Sequence, residues 1–287
     1  MNKLQTKIPF MNVVRLKGVP ILQQLHLEER LLRTSSENWC IINDGTNQPT
    51  IVMGVSGSIT FLIWKPAELL EVDSVVQDKI PVIKRFSGGG TVIVDQKTIF
   101  VTFICSKEAV PGLQPYPQPI MSWSGLIYNK VFQGAAAFSL RENDYVFGNH
   151  KFGGNAQSIT KNRWVHHTSF LWDYEIKNMS YLKQPKRVPR YREARDHLEF
   201  ICRMKDYIPR SDFINKTITA VSEQFSLSSI EKDAIESPPN FVPLSRILED
   251  GELLQAASPY QLESPISQTL LVLKQQKRRV LIIMNIN

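Results

Sequence analysis

Long apolar runs are missing from this chain of 287 residues. The longest, 59–64 and 280–284, fall far short of the roughly 18 or more residues a spanning helix needs, so no membrane segment is expected. Cysteine is scarce. Cys40, Cys105 and Cys202 are odd in number and lack CxxC spacing, which offers no structural zinc site and suits a reducing compartment. Acidic residues are absent before Glu28, whereas Lys3, Lys7, Arg15 and Lys17 precede it, a charge pattern shared with organelle transit peptides. The same stretch has no serine and no continuous apolar region, so the reading preferred is a strand at 11–16 followed by a helix, with no clear targeting peptide. Cytoplasmic and mitochondrial locations both remain open. Internal repeats are absent, as is the regular βαβ alternation of a doubly wound fold.

What is present is an ordinary globular composition, 43% hydrophobic and 21% charged, which argues against wholesale disorder. At about 150 residues per domain the length means one large domain, or a large one with an appendage. The net charge of +7 is a mild excess that favours an acidic partner surface without identifying a nucleic-acid binder.

Pro20 suits a helix start, because its missing N–H falls among donors unpaired there anyway, and Ile21, Leu22, Leu25, Leu31 and Leu32 then form an apolar stripe over 20–33. Strands are expected at 51–55, 82–86, 91–95 and 98–105, where β-branched and aromatic residues are bounded by glycine-bearing breaks. Four prolines in 110–119 require a loop before a helix at 120–132, and a meander is expected from 144–147, 152–159 and 164–172. Residues 183–195 carry six basic side chains in thirteen positions and two prolines, the pattern of a mobile basic loop. A helix over 212–225 follows, with Asp212 as a candidate N-cap. An α+β fold is the best description.

Three segments could carry chemistry. In KRFSGGGT (84–91) a strand runs into Gly88, Gly89 and Gly90, where backbone can approach a phosphate or carboxylate, beside the Arg85 cation. The same residues also read as a plain hairpin turn, and they match neither GxGxxG nor GxxxxGK[ST]. In NDYVFGNHKFGGNAQ (143–157), Lys151 sits beside paired glycines and Asp144 could hold a hard cation such as magnesium; alternatively Lys151 is a solvated turn residue. In HHTSF (166–170), neighbouring histidines on a strand point to opposite faces, so only one can face a pocket and the two cannot share a metal.

Together and in this order, these segments resemble the lipoate–protein ligase A-like branch of the biotin/lipoate A/B protein ligase family. Its members carry R-x-S-G-G-G-x-V-x-x-D, an N-D ahead of K-x-x-G-x-A-Q, and an H-H-G-T strand; here these are KRFSGGGTVIVD, ND with KFGGNAQ, and HHTSF. Thr168 and Ser169 replace the family's glycine and threonine, and 58–64 (SITFLIW) looks like an insertion.

The resemblance implies mixed β-sheets flanked by helices, as in class II aminoacyl-tRNA synthetases and biotin ligases, with a catalytic domain over 11–230 and an unplaced extension over 231–287. It implies ATP, Mg2+ and lipoate or octanoate as reactants, an acyl-adenylate intermediate, and transfer to a lysine of a lipoyl-carrier domain. That carrier would be a 2-oxoacid dehydrogenase E2 subunit or the glycine cleavage H protein. An accessory small-domain partner is also implied, because no such domain is evident in this chain. By position in the motifs, Lys151 is the catalytic cation. Arg85, Ser87, Gly88, Gly89, Gly90, Gly153, Gly154, Asn155 and His167 line the acyl and phosphate pocket, Asn143 binds the nucleotide, and Asp144 places magnesium. The basic loop covers the adenylate.

The nearest rival is an octanoyl- or lipoyltransferase using a cysteine thioester without ATP, but 133–150 contains no cysteine and Cys202 lies 35 residues beyond His167. Cys40 and Cys105 read as small buried apolar residues. A biotin ligase would carry a glycine–arginine loop in place of SGGG. A nucleic-acid module would use 183–195 and 275–279 as phosphate contacts, and a catalytically impaired family member needing a partner is the remaining alternative.

Overall fold

The computed structural model describes residues 8–54, 68–185, 188–236 and 238–257. The expected insertion at 58–64, the basic run at 275–279 and the apolar strand at 280–284 lie outside the described residues.

In chain order the elements are β1 (Phe10–Lys17), α1 (Ile21–Thr34), β2 (Trp39–Asp44), β3 (Thr50–Met53), α2 (Val72–Gln77), β4 (Val82–Lys84), β5 (Thr91–Val94), β6 (Thr98–Ser106), α3 (Pro117–Val131), β7 (Phe138–Arg141), β8 (Asp144–Phe147), β9 (His150–Ile159), β10 (Arg163–Leu171), α4 (Ile176–Met179), α5 (His197–Phe200), α6 (Arg210–Ser222), β11 (Ser226–Ser229), β12 (Arg246–Ile247) and α7 (Asp250–Ala257). Eight strands form one sheet in the order β11-β1-β2-β6-β10-β9-β8-β7, and a second sheet runs β12-β4-β3-β5. Parallel pairs (β11 with β1, β1 with β2, β3 with β4) mix with antiparallel ones. The fold is the α+β arrangement of mixed sheets expected from the sequence.

The meander β8-β9-β10 forms as its alternation predicts. Four strands, β2, β7, β11 and β12, were not foreseen. In β2, WCIIND is almost entirely buried, so no polar–apolar alternation marks it; β7 is a short edge strand of only four residues. At α6 the expected cap is corrected: the N-cap is Pro209, and Asp212 lies inside the first turn, where its charge complements the helix dipole.

The main core lies between the large sheet and α3 and α6, with Tyr128, Phe132, Phe152, Phe170 and Phe213 among its rings. On the other face α1 packs against β6 and β10. Of the segment 231–287, residues 244–253 join the body: Leu244 N and Ser245 N donate to the buried Glu29 carboxylate, Phe86 N donates to Ser245 Oγ, and β12 pairs with β4. Leu248 and Leu253 enter the core beside β3 and β4. No helix among the described residues is long and apolar enough to cross a membrane.

Candidate active site

Between β4 and β5 the chain turns through Arg85–Gly90, and Arg85 organises the turn from inside. Its Nε donates to Ser87 Oγ (3.0 Å), Nη2 donates to Gly88 O (2.7 Å) and Gly90 O (2.9 Å), and Nη1 donates to Val52 O (3.4 Å). Burial pulls the guanidinium pKa down to about 10, against the opposing charge of Glu28, so it stays a cation at neutral pH. Most of its donors are committed to protein oxygens, which makes it the brace of the loop more than a free ligand for substrate. Gly89 adopts φ +99°, and a Cβ there would stand 2.8 Å from Arg85 Nη2; a Cβ at Gly54 would overlap Gly89 O. Two chain segments therefore meet with no space for a side chain.

Ser87 continues inward. Its Oγ lies 3.0 Å from His167 Nε2, and His167 Nδ1 lies 2.8 Å from Glu28 Oε2. Glu28 Oε1 also accepts from Gln24 Nε2 (2.7 Å) and Thr102 Oγ1 (2.6 Å). Every donor finds an acceptor when Arg85 donates to Ser87, Ser87 to His167, and His167 to Glu28. Though this has the members of a Ser–His–Glu triad, Ser87 is 1% exposed and accepts from a guanidinium, so it serves as a link and not as a nucleophile.

Lys151 is placed by an irregularity. Tyr145 pairs with Gly153 but Val146 pairs with Lys151, so Phe152 is an extra residue in β9, a bulge that re-aims its neighbour. Lys151 Nζ reaches Asp144 Oδ1 at 2.7 Å. The two glycines are there for space: a Cβ at Gly153 would press on the Tyr145 and Phe170 rings, and one at Gly154 would stand 3.4 Å from Lys151 Cε. On β10 the histidines separate as predicted. His167 reaches the cavity, whereas His166 is buried beside Tyr145 Oη (3.2 Å) and Gln157 Nε2 (3.2 Å).

A cavity of about 810 Å³ unites these parts. Arg85, Gly88, Gly89, Gly90, Asn143, Asp144, Lys151, Gly154, Asn155 and His167 line it; Ser87 and Gly153 do not, and support the wall from behind. Apolar side chains (Ile21, Leu25, Val52, Phe100, Met121) share the lining with these polar groups, a combination suited to an acyl chain with a charged end.

The basic segment 183–195 also reaches the cavity, through Lys183, Pro185, Val188, Pro189 and Arg192. It is not simply a solvated charged loop. Arg192 is 4% exposed, with its guanidinium 4.8 Å from the Phe200 ring centroid, and Tyr191 Oη donates to Asp144 Oδ2 at 2.8 Å. Sequence reasoning missed Glu28, Gln24, Gly54, Tyr191 and Arg192. A signal for Glu28 existed: on the face of α1 marked by Ile21, Leu25 and Leu32 the helical spacing puts Gln24 and Glu28, four residues apart, among the buried positions where apolar residues would be expected.

Cys202 proves nearer than its distance in sequence suggested. Its N–H donates to Lys151 O (2.9 Å), yet its thiol packs toward the main core and His150 O, and Ile201 is the one that lines the cavity. Burial pushes the Cys202 thiol up to about 11, the opposite of an activated nucleophile. Cys40 and Cys105 are buried, as expected. Among the described residues no group of three or more His, Cys, Asp and Glu side chains is arranged to hold a metal. Asp144, with Glu142 also on the wall, supplies the one or two carboxylates that magnesium takes when phosphates and water fill its shell, and the ion would share Asp144 with Lys151 on Oδ1 and Tyr191 on Oδ2.

Known proteins of one family match most of this chain. The family model for the lipoyl protein ligase A/B catalytic domain matches residues 20–226. A Plasmodium falciparum protein named inactive lipoate–protein ligase 2 is 27% identical over 286 aligned residues, covering 78% of this chain and 72% of its own length. A probable lipoate–protein ligase A of Mycoplasma genitalium is 27% identical over 221 residues, covering 73% of this chain and 62% of its own length. Among solved structures, a bipartite lipoate–protein ligase of Thermoplasma acidophilum, described with its E2 lipoyl domain, superposes with a TM-score of 0.58 at 16% identity, covering 78% of this chain and 88% of that one. Lipoate–protein ligase A bound with ATP gives 0.55 at 15% identity, covering 79% and 90%. At these identities the two structures speak to the fold alone.

Proposed function

Because the chain belongs to the lipoyl protein ligase A/B catalytic-domain family, we propose that it is an ATP-dependent lipoate–protein ligase, which activates lipoate or octanoate as an acyl-adenylate and transfers the acyl group to a lysine of a lipoyl-carrier domain. The observation that carries this reading is the convergence of Lys151, Asp144, Asn143 and the Gly88–Gly90 turn on one cavity that also has an apolar wall. Support comes also from relatives named as lipoate–protein ligases and from a ligase of the same fold bound with ATP.

In the first half-reaction a carboxylate oxygen of the acid bonds to the α-phosphorus of ATP and the bond to the diphosphate breaks. Negative charge gathers on the α-phosphate oxygens, and a cation fixed beforehand stabilises it with little reorganisation. Lys151 is that cation; the bulge and the space over Gly154 set its position, and Asp144 holds its ammonium. In the second half-reaction the acceptor lysine attacks the acyl carbon and AMP leaves, and Lys151 again faces the developing charge. The Gly88–Gly90 turn, braced by Arg85 and through Ser87 by His167, forms the wall against which the acid and phosphate lie, with Gly154 and Asn155 beside Lys151. Asn143 contacts the nucleotide. Asp144 is the residue that would hold magnesium, which neutralises phosphate charge when bound.

The carrier is a lipoyl domain of an E2 subunit or the glycine cleavage H protein, drawn by the basic loop 183–195. A second reading is favoured by one observation: a relative is named inactive, so a chain of this kind could need an accessory partner for adenylation, and a bipartite ligase of the same fold is known. A cysteine-dependent transferase is disfavoured by the orientation of Cys202.

The test is mass spectrometry of a purified lipoyl domain incubated with the protein, magnesium and lipoate or octanoate, with and without ATP, and in parallel with octanoyl-carrier protein. Acylation from free acid only with ATP, lost in Lys151→Ala, supports the ligase. Transfer from octanoyl-carrier protein without ATP would reassign the chain as a transferase, and no product with any donor would move it to the partner-dependent reading.

A further inference from the structure

Two neighbouring glutamates of α1 reach two neighbouring residues of the glycine turn by separate routes. Glu28 acts on Ser87 through His167. Glu29 acts on Phe86 through Ser245, a residue beyond the family match over 20–226. The Glu29 carboxylate is buried and takes Arg33 Nε on Oε1 (3.0 Å), while its Oε2 accepts from Leu244 N (2.9 Å) and Ser245 N (3.3 Å). His26, one turn earlier on the same helix, donates from Nε2 to Ser245 O (2.8 Å), because a carbonyl oxygen only accepts. Both backbone polar groups of Ser245 are thus held by α1, and its Oγ accepts from Phe86 N at 3.0 Å. Ser245 is 2% exposed, so removing the hydroxyl takes away the acceptor of Phe86 N in a place largely closed to water.

What Phe86 touches gives this anchor its reach. Its backbone stands between Arg85, the brace of the turn, and Ser87, the link to His167. Its ring meets the His167 ring edge-on, with centroids 6.3 Å apart, and packs against the cluster of Ile21, Leu25, Val52 and Phe100, which also forms the apolar wall of the cavity. The anchor is itself fixed on its far side. There β12 pairs with β4 through Arg246 with Lys84 and Ile247 with Ile83, Leu248 N donates to Val82 O (2.8 Å), and Arg246 takes Glu252 with two hydrogen bonds (2.7 and 2.6 Å). A serine outside the matched residues is therefore built into the corner where the polar turn meets the apolar wall.

We infer that Ser245 is a positioning residue of the acid-binding site: it fixes the entry of the chain into the Gly88–Gly90 turn and thereby sets the affinity for the acyl substrate. A loop held in its bound shape binds more tightly because less ordering is left to be done on binding. Ser245 touches no substrate, and its effect passes through Phe86. The inference rests on the proposed use of lipoate or octanoate, and it makes the residues around 245 part of the support of the site in place of a separate appendage.

The test compares the wild type with Ser245→Ala, Ser245→Thr and Ser245→Val in the full chain, each checked for folding by near-ultraviolet circular dichroism. Threonine and valine share a shape and differ in the hydroxyl, so the cost of the added methyl cancels between them. Amide hydrogen exchange of peptides covering 84–91 reads the turn directly, with peptides from α6 as the remote reference. Equilibrium titration with lipoate and with octanoate reads the site. Ser245→Ala and Ser245→Val are expected to speed exchange in 84–91 but not in α6, and to weaken both acids about fivefold or more, roughly 1 kcal/mol. Ser245→Thr is expected to stay closer to the wild type than Ser245→Val in both measurements. Unchanged exchange in 84–91 overturns the inference, as does faster exchange there with acid binding intact. Equal acceleration in α6 overturns it too, since that is general loosening, and so does a threonine variant no better than the valine one. A wild type that binds neither acid removes the acyl-ligase reading and the inference with it, whereas variants that match an acid-binding wild type remove Ser245 alone.

Discussion

His167 Nδ1 lies 2.8 Å from Glu28 Oε2 across 139 residues of sequence, and this contact is the inner end of a chain of hydrogen bonds that runs through Ser87 to Arg85 and the glycine turn. Helix α1 thereby sets the shape of a loop it does not adjoin in sequence.

Glu28→Ala removes the acceptor for Gln24, Thr102 and His167 at once, in a site with no water access, and leaves Arg85 without its opposing charge. Breaking a buried charged network of this kind costs about 3–5 kcal/mol, and Glu28→Gln, which keeps an oxygen acceptor, is expected to cost less. Urea denaturation measures both; equal stability of the alanine variant and the wild type would remove Glu28 from this role.

Glycines of the turn should differ sharply among themselves. Gly89→Ala demands φ +99° of a residue with a Cβ and brings that atom against Arg85 Nη2, whereas a Cβ at Gly90 meets nothing within 4 Å. Ligand binding and acylation are expected to fall at least tenfold in Gly89→Ala, on the order of 1.4 kcal/mol, and to fall less in Gly90→Ala, which lines the same wall but leaves Arg85 undisturbed. A titration of the acid into each variant distinguishes them, and similar losses at both positions would show that the brace is not what matters.

Cys202 is expected to be dispensable. With its thiol pushed up to about 11 and turned toward the core, Cys202→Ser should acylate a lipoyl domain at the wild-type rate, and iodoacetamide at neutral pH should leave activity intact. Loss of transfer together with a thioester adduct on Cys202 in the mass spectrum would instead favour the cysteine route.

His166 ties stability to pH. Burial, helped by the neighbouring His167, pulls its pKa down to about 3 from an ordinary value of 6.5, so the folded state refuses a proton that the unfolded chain takes up. The stabilisation is complete above pH 6.5 and is lost as pH falls toward 3, by up to about 1.4 kcal/mol per pH unit. His166→Gln should flatten that dependence by one proton between pH 6.5 and 4, measured by denaturation at each pH. Parallel curves for the two proteins would show that His166 is protonated in the folded state.

The local chemistry was legible in the residues. The SGGG turn, the Lys151 element with its glycine pair, the division of labour between His166 and His167 and the meander all rest on short-range rules of backbone space and strand alternation, which act within a few residues. The family and its α+β fold followed from those motifs. The partners of the motifs depended on the tertiary structure. Glu28 looked like an ordinary helix position until α1 lay across β6 and β10, Arg85 read as a free cation until its donors were counted, and the bulge at Phe152 is visible only once β8 and β9 pair. Cys202 and Arg192 owe their meaning to packing as well, one turned to the core and the other to the cavity. Sequence encodes which groups are present and what backbone they tolerate, whereas hydrogen-bond partnership and burial between segments far apart in the chain arise only when the sheets close over the site.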